Sequence, residues 1–276
     1  MTSYLWKIQN RLHFYTWRGN KYVRQMIASR DAKPAPLFLI GCQRSGTNMN
    51  IEVLDKSYQT WVYNEANHKA FYNFRIKSLA VRQPLIRRAH CPWVVFKPIC
   101  DSQNIDVLLS EHPDARVIWD FRRYQDVANS AVKRWGAHQL DLIRRLAEGE
   151  TKGHFFFDRV TPEQRQFVQE LYHDEMSPHT AAALFWYLRN RIFFDHGLEK
   201  MPNRVKLVRY EDLVSDPAGH YKTLFDSLGI EFRPAFVAEV HPSSISKQEF
   251  PAIDAPVEKL CEEMMDKLNG ALEANL

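Results

Sequence analysis

The chain has 276 residues, 45% of them hydrophobic and 25% charged, with a formal net charge of +4. That is enough chain to bury a sizeable core, and too weak and dispersed a charge to argue for a nucleic-acid partner. Cys42, Cys91, Cys100 and Cys261 have neither metal-ligand spacing nor disulfide-scaffold density, so reduced thiols in a cytoplasm are expected. No apolar run reaches the ~18 residues of a transmembrane helix. No h-region with a small-residue cleavage site marks a signal peptide.

Residues 1–36 make a first segment. In it Tyr4, Leu5, Trp6, Leu12, Phe14, Tyr15, Trp17, Tyr22, Val23, Met26 and Ile27 interleave with Lys7, Arg11, Arg18, Lys21, Arg24, Arg30 and Lys33. Asp31 is the only acid among them. A basic, aromatic segment of this kind suits a membrane surface. It also suits a helix packed on the domain with a solvated basic face. Pro34 and Pro36 close it, and the domain proper is expected over 37–276.

Leu37-Phe38-Leu39-Ile40 reads as a buried strand that runs into Gly41-Cys42-Gln43-Arg44-Ser45-Gly46-Thr47-Asn48. Met49 to Leu54 then resumes a pattern compatible with a helix. A strand, a glycine-bearing turn and a helix start converge free N–H groups and the positive end of a helix dipole on one point. Thr47 and Asn48 add short polar groups, and Arg44 adds a fixed cation suited to phosphate or sulfate oxygens. This is not a Walker A loop, which needs Lys then Ser or Thr directly after the second glycine.

Further along, Trp61-Val62-Tyr63, Trp93-Val94-Val95-Phe96, Arg116 to Phe121 and Val205 to Tyr210 read as strands. Residues 69–90 read as helical and basic, Asn104 to Ser110 as a helix, and Asp126 to Trp135 as another. From Gln139 to Leu198 the pattern is mostly helical, with Pro162 and Pro178 where helices would begin. Ala218 to Leu228 is a helix stopped by Gly229. Residues 241–255 read as an ordered loop and Val257 to Leu272 as a terminal helix. Strands alternating with helices predict an α/β fold, one parallel sheet covered on both faces.

Polar residues follow the apolar strands directly after Ile40, Tyr63, Phe96 and Phe121. In a parallel sheet these points share one edge, where ligands bind. Collected there are Arg44 with Thr47, Glu65, Lys97, and Arg122 with Arg123. One carboxylate among several cations at an anion loop suggests group transfer from a phosphate-like donor. The cations would offset charge on the leaving oxygens while the carboxylate takes a proton from the acceptor.

With these residues in place the sequence resembles the sulfotransferases that use 3′-phosphoadenosine 5′-phosphosulfate (PAPS). Gly41 to Thr47 looks like their 5′-phosphosulfate loop, which implies cofactor contacts from Gln43, Arg44, Ser45, Gly46, Thr47 and Asn48. Arg116 to Arg122, followed by Asp126-Val127-Ala128 and Ser130, looks like their 3′-phosphate motif, with Arg122 and Ser130 as the clamp. Tyr210-Glu211-Asp212-Leu213 with Asp216-Pro217 resembles a third signature beside the adenine pocket. Arg rather than Lys at position 44 is closer to the tyrosylprotein and carbohydrate branch. That branch implies Glu65 as general base, with His68 in reserve, and Lys97 touching the transferred group. Arg134 matches a further 3′-phosphate contact, and Ser244 and Lys247 fall in the late loop that closes over the cofactor.

Some positions depart from the pattern. Asn48 replaces a second Thr or Ser, and Arg123-Tyr124 stands where Asp-Pro or Asn-Pro is usual. The helical stretch 138–200 matches no segment of that family and is expected to shape the acceptor pocket. The resemblance implies a single P-loop-like domain and metal-independent in-line sulfuryl transfer that releases PAP. The acceptor is a hydroxyl, or an amine, on a small molecule, a carbohydrate or a lipid-linked substrate. A nucleotide kinase or NTPase with a degenerate loop, or a PAPS- or PAP-binding module without catalysis, are the alternatives.

Overall fold

The computed structural model describes residues 16–28, 33–241, 249 and 251–274. Ser244 and Lys247 lie outside the described residues, as does the beginning of the basic N-terminal segment. The elements run α1 (16–28), β1 (Ala35–Gly41), α2 (Thr47–Asp55), β2 (Thr60–Tyr63), β3 (Phe71–Tyr72) and β4 (Arg75–Ile76). Then follow α3 (Leu79–Arg87), β5 (Trp93–Phe96), α4 (Ile105–Glu111), β6 (Arg116–Phe121), α5 (Tyr124–Trp135), α6 (His138–Ala147) and α7 (Pro162–Leu171). The chain closes with α8 (Pro178–Asp195), β7 (Val205–Arg209), α9 (Tyr210–Ser215), α10 (Pro217–Ser227) and α11 (Ala255–Glu273).

The main sheet is the parallel one expected, in the order β2-β5-β1-β6-β7. β1 sits where the order reverses, with β5 on one side and β6 on the other, so its C-terminal end is the topological switch point. Leu37, Phe38, Leu39 and Ile40 are all sealed at 0% exposure. Each such side chain is worth about 1.5–3 kcal/mol relative to an exposed one. The pleat sends alternate residues to opposite faces. Phe38 and Ile40 join the core built with α4, α5, α6, α8 and α11, whereas Leu37 and Leu39 join the one built with α2, α9 and α10. Helices therefore cover both faces, in one α/β domain.

Proline placement follows the sequence reading: Pro162 and Pro178 open α7 and α8 at their first positions, after the caps Thr161 and Ser177. One stretch differs. Residues 69–90 are not a single helix; the short hairpin β3–β4 precedes α3. Its two turn residues, Asn73 and Phe74, have φ of 46° and 63°. Asp101 pins the hairpin, since its Oδ1 accepts from Arg75 Nε at 2.7 Å and its Oδ2 accepts from Ile76 N at 2.7 Å.

α1 lies along β2. Gln25 Nε2 donates to the carbonyls of Tyr58 (2.7 Å) and Thr60 (2.8 Å), and Arg18 Nη2 donates to Val62 O (3.2 Å). Lys21, 1% exposed, pairs with Asp55 Oδ1 at 3.0 Å.

Candidate active site

The loop after β1 needs its glycines for different reasons. Gly41 has φ 140°, and a Cβ there would come within 2.2 Å of Asp120 O on β6. Gly46 has φ 96°, and its Cβ would meet the Tyr210 ring at 2.4 Å. Arg44 takes the left-handed region at φ 71°, a strained choice for a side-chain-bearing residue and one that concentrates at functional loops. Gly46 caps α2 with no side-chain hydrogen bond, so the N–H groups of the first turn are left for an anion. Ser45 is 1% exposed, and neither its Oγ nor the buried Gln43 Oε1 has a hydrogen-bond partner among the described residues. The Ser45 hydroxyl can donate to a phosphate or sulfate oxygen at this helix N-terminus, whereas Gln43 Oε1 can only accept. Cys42 is different: burial pushes its thiol up to about 12, an inert packing group.

Lys97 is the hub. It ends β5, is 2% exposed, and its Nζ lies 2.9 Å from Glu65 Oε1 while also donating to Asn48 Oδ1. The ends of β2 and β5 and the start of α2 thus meet on one ammonium. Glu65 keeps 26% of its side chain exposed, and its Oε2 has no hydrogen-bond partner among the described residues. His68 is exposed and lines a groove of about 960 Å³ together with Ala66, although Glu65 itself is not on its wall. Arg18, Tyr22, Glu52, Trp61, Asn64 and Asn67 also line that groove. The helical middle lines another cavity of about 400 Å³, with Leu146, Phe156, Gln164, Arg189 and Ile192 on its walls.

A second group of cations gathers at the end of β6. Arg44 Nε donates to Ser130 Oγ at 2.9 Å, joining the loop to α5 across 86 residues of sequence. Burial lowers the pKa of the Arg44 guanidinium, with Arg134 and then Arg122 adding to that effect. Mutual repulsion among such groups is the signature of a site that expects an anion. Arg122, 6% exposed, stacks on the Tyr210 ring at 4.3 Å, and Tyr210 in turn covers Gly46. Arg134 is exposed.

Where Arg123-Tyr124 departs from the usual pattern, Arg123 N donates to Glu211 Oε1 at 3.1 Å. Arg123 Nη2 also donates to Asp126 Oδ2 at 3.0 Å. The third motif is thereby tied to the second through Glu211, whose carboxyl burial pushes up.

Three residues beneath the loop escaped the sequence reading. Asn50 Nδ2 donates to Asp120 Oδ1 at 2.7 Å, and Tyr221 OH donates to Asn50 Oδ1. Burial raises the Asp120 carboxyl well above the ordinary carboxylate range. The one available signal was an acid inside an otherwise apolar strand. Trp135, with Arg44 over its ring at 5.7 Å, gave no signal at all. Among the described residues no group of three His, Cys, Asp or Glu side chains is placed to hold a metal. Nor is any helix there long and apolar enough to cross a membrane.

A family model described as "Sulfotransferase family" matches residues 157–234. The match starts inside the helical middle, so 157–200, part of the stretch 138–200 expected to have no counterpart in that family, does have one. No curated protein matches the chain. Among solved structures, a sulfotransferase domain from the curacin biosynthetic pathway is 14% identical at a TM-score of 0.48, covering 85% of this chain and 99% of that one. A sulfotransferase from Alicyclobacillus acidocaldarius is 17% identical at 0.47, covering 87% and 94%. The sulfotransferase STF9 from Mycobacterium avium is 13% identical at 0.48, covering 93% and 81%. The family match over residues 157–234 takes in the Tyr210-Glu211-Asp212-Leu213 signature and agrees with the resemblance carried by the two earlier motifs.

Proposed function

We propose that the protein transfers a sulfuryl group from PAPS to an acceptor hydroxyl or amine. The observation that carries this reading is the Lys97 hub. A sealed cation sits between the Glu65 carboxylate and the first turn of α2. When bound, PAPS supplies the sulfuryl group and leaves as PAP. Glu65 Oε1 is held by Lys97, and Oε2, buried and without a hydrogen-bond partner among the described residues, is the oxygen that takes the proton of an acceptor packed against it. Lys97, Arg44 and the N–H groups of α2 offset charge on the departing phosphate oxygen. Arg122, Ser130 and Arg134 hold the 3′-phosphate, with Tyr210 stacked beneath Arg122. The cations do the neutralising, so transfer proceeds in EDTA. A small molecule, a carbohydrate or a lipid-linked molecule is the acceptor. Free thiols at all four cysteines support a cytoplasmic setting.

Mouse sulfotransferase SULT7A1 has been crystallised with PAP. For this chain the decisive measurement is thermal shift with PAP, ATP, ADP and NADH. PAP alone should raise Tm by several degrees, because a ligand bound to the native state stabilises it by mass action. Arg122→Ala, which removes a charge-assisted pair worth roughly 1.5–3 kcal/mol, should abolish most of that rise. A shift with Mg²⁺-ATP and none with PAP would transfer the assignment to a nucleotide kinase.

A further inference from the structure

α1 is built inside out. The residues it turns toward the domain are polar: Lys21 and Gln25, each 1% exposed. The residues it leaves outside are apolar: Tyr22 at 42%, Val23 at 54%, Met26 at 44% and Ile27 at 76% exposure. Positions 22, 23, 26 and 27 fall on one arc of a helix, so these side chains form a continuous stripe rather than scattered apolar residues. Ordinary amphipathic packing would place that stripe on the core. Here the carbonyls of Tyr58, Thr60 and Val62 and the Asp55 carboxylate claim the polar side instead. An exposed continuous stripe of this kind marks a surface that meets something apolar.

Charge identifies what it meets. Residues 16–28 contain no acid, Arg18 and Arg24 are their cations outside the sealed Lys21–Asp55 pair, and Asp31 is the only acid in 1–33. The Tyr22 ring touches His90 at 5.6 Å, which brings the end of α3, with the exposed Arg87 and Arg88, beside the stripe. A second copy docking through the same stripe would set like charges against each other. We propose that α1 lies on an anionic phospholipid surface, its apolar stripe in the headgroup boundary and the surrounding arginines on the lipid phosphates. Tyr22 belongs both to this stripe and to the groove that Asn64, Ala66 and His68 line. If Glu65 is the base, as read above, an acceptor carried in the headgroup layer enters along the loop that carries Glu65.

The test is sedimentation of the full chain with vesicles of phosphatidylcholine alone and of phosphatidylcholine mixed with phosphatidylglycerol. The protein should pellet with the mixed vesicles, less so as salt is raised, and hardly at all with the neutral ones. Met26→Glu/Ile27→Glu should lower partitioning at least about tenfold, and Ile27→Gln by a smaller factor, each with an unchanged Tm. A wild type that stays in the supernatant, or a double variant that pellets equally, overturns the proposal. So does a dimer in light scattering that the double variant dissolves, because then a second copy covers the stripe. Vesicle binding needs no turnover and no PAP, so its failure leaves the sulfotransferase reading standing, and the reverse holds too.

Discussion

Lys97 and Arg189 are both cations sealed from water, each 2% exposed, and both lie against the same turn after β5. Their partners could hardly differ more. Lys97 faces a carboxylate, Glu65, at 2.9 Å, on a side chain that is 26% exposed. Arg189 donates to Gln103 Oε1 at 3.0 Å and Ile99 O at 2.7 Å, both neutral, and its Nε has no hydrogen-bond partner among the described residues. Burial accordingly lowers the pKa of the Arg189 guanidinium. Burial by itself therefore does not mark a working charge. A cation coupled to a reachable, titratable partner can respond to substrate, whereas one wired to an amide and a carbonyl braces α8 against the turn.

The largest effect expected comes from breaking the first pair. Glu65→Gln keeps volume and a hydrogen-bond acceptor but removes the proton acceptor, so turnover should fall about 10²–10⁴-fold with PAP affinity retained. Steady-state kinetics beside calorimetry with PAP would decide it. Near-normal turnover would transfer the base role to His68. Breaking the second should give the opposite split. Arg189→Met leaves Gln103 Oε1 and Ile99 O without their donor, for a loss of about 1–3 kcal/mol in urea unfolding. PAP affinity should hold, and a large loss of it would mean that Arg189 serves the site.

The smallest effect concerns Asp120, a buried acid in the field of Lys97. Its carboxyl is held above the ordinary range, chiefly by burial, so the native state favours the protonated form. That contribution to stability is complete below the unfolded carboxylate value, about 4. It drains away as pH rises toward the folded value. Asp120→Asn, which still accepts from Asn50, should remove this slope. The variant's Tm should gain on the wild type from about pH 4 up to pH 8. Parallel Tm curves would mean that Lys97 keeps the carboxylate ionised.

The sheet and the loop could be read in advance because their causes are local. Four apolar residues ending at Gly41 make a strand, and Gly46 followed by Thr47 begins a helix, with no reference to distant chain. The pairing of Lys97 with Glu65 was only half visible. Each residue follows an apolar run, but their contact depends on β2 and β5 being neighbours, which no local pattern states. The β3–β4 hairpin was hidden because Phe74 is a poor left-handed residue, held there by Asp101 from outside the segment. The α1 stripe was misleading for a related reason. Its apolar residues advertise a core-facing side, while the buried lysine and glutamine answer to backbone carbonyls that composition cannot reveal.

Those carbonyls have a further consequence. β2 is an outermost strand of the sheet, and such a strand normally offers its unpaired backbone as a template on which another chain can add. Here Gln25 and Arg18 occupy Thr60 O and Val62 O with side-chain donors, so that template is already written over. The chain carries its own stopper against strand-by-strand polymerisation. It is made of side chains, which cap two outward carbonyls of the rim without extending the ladder for the next molecule.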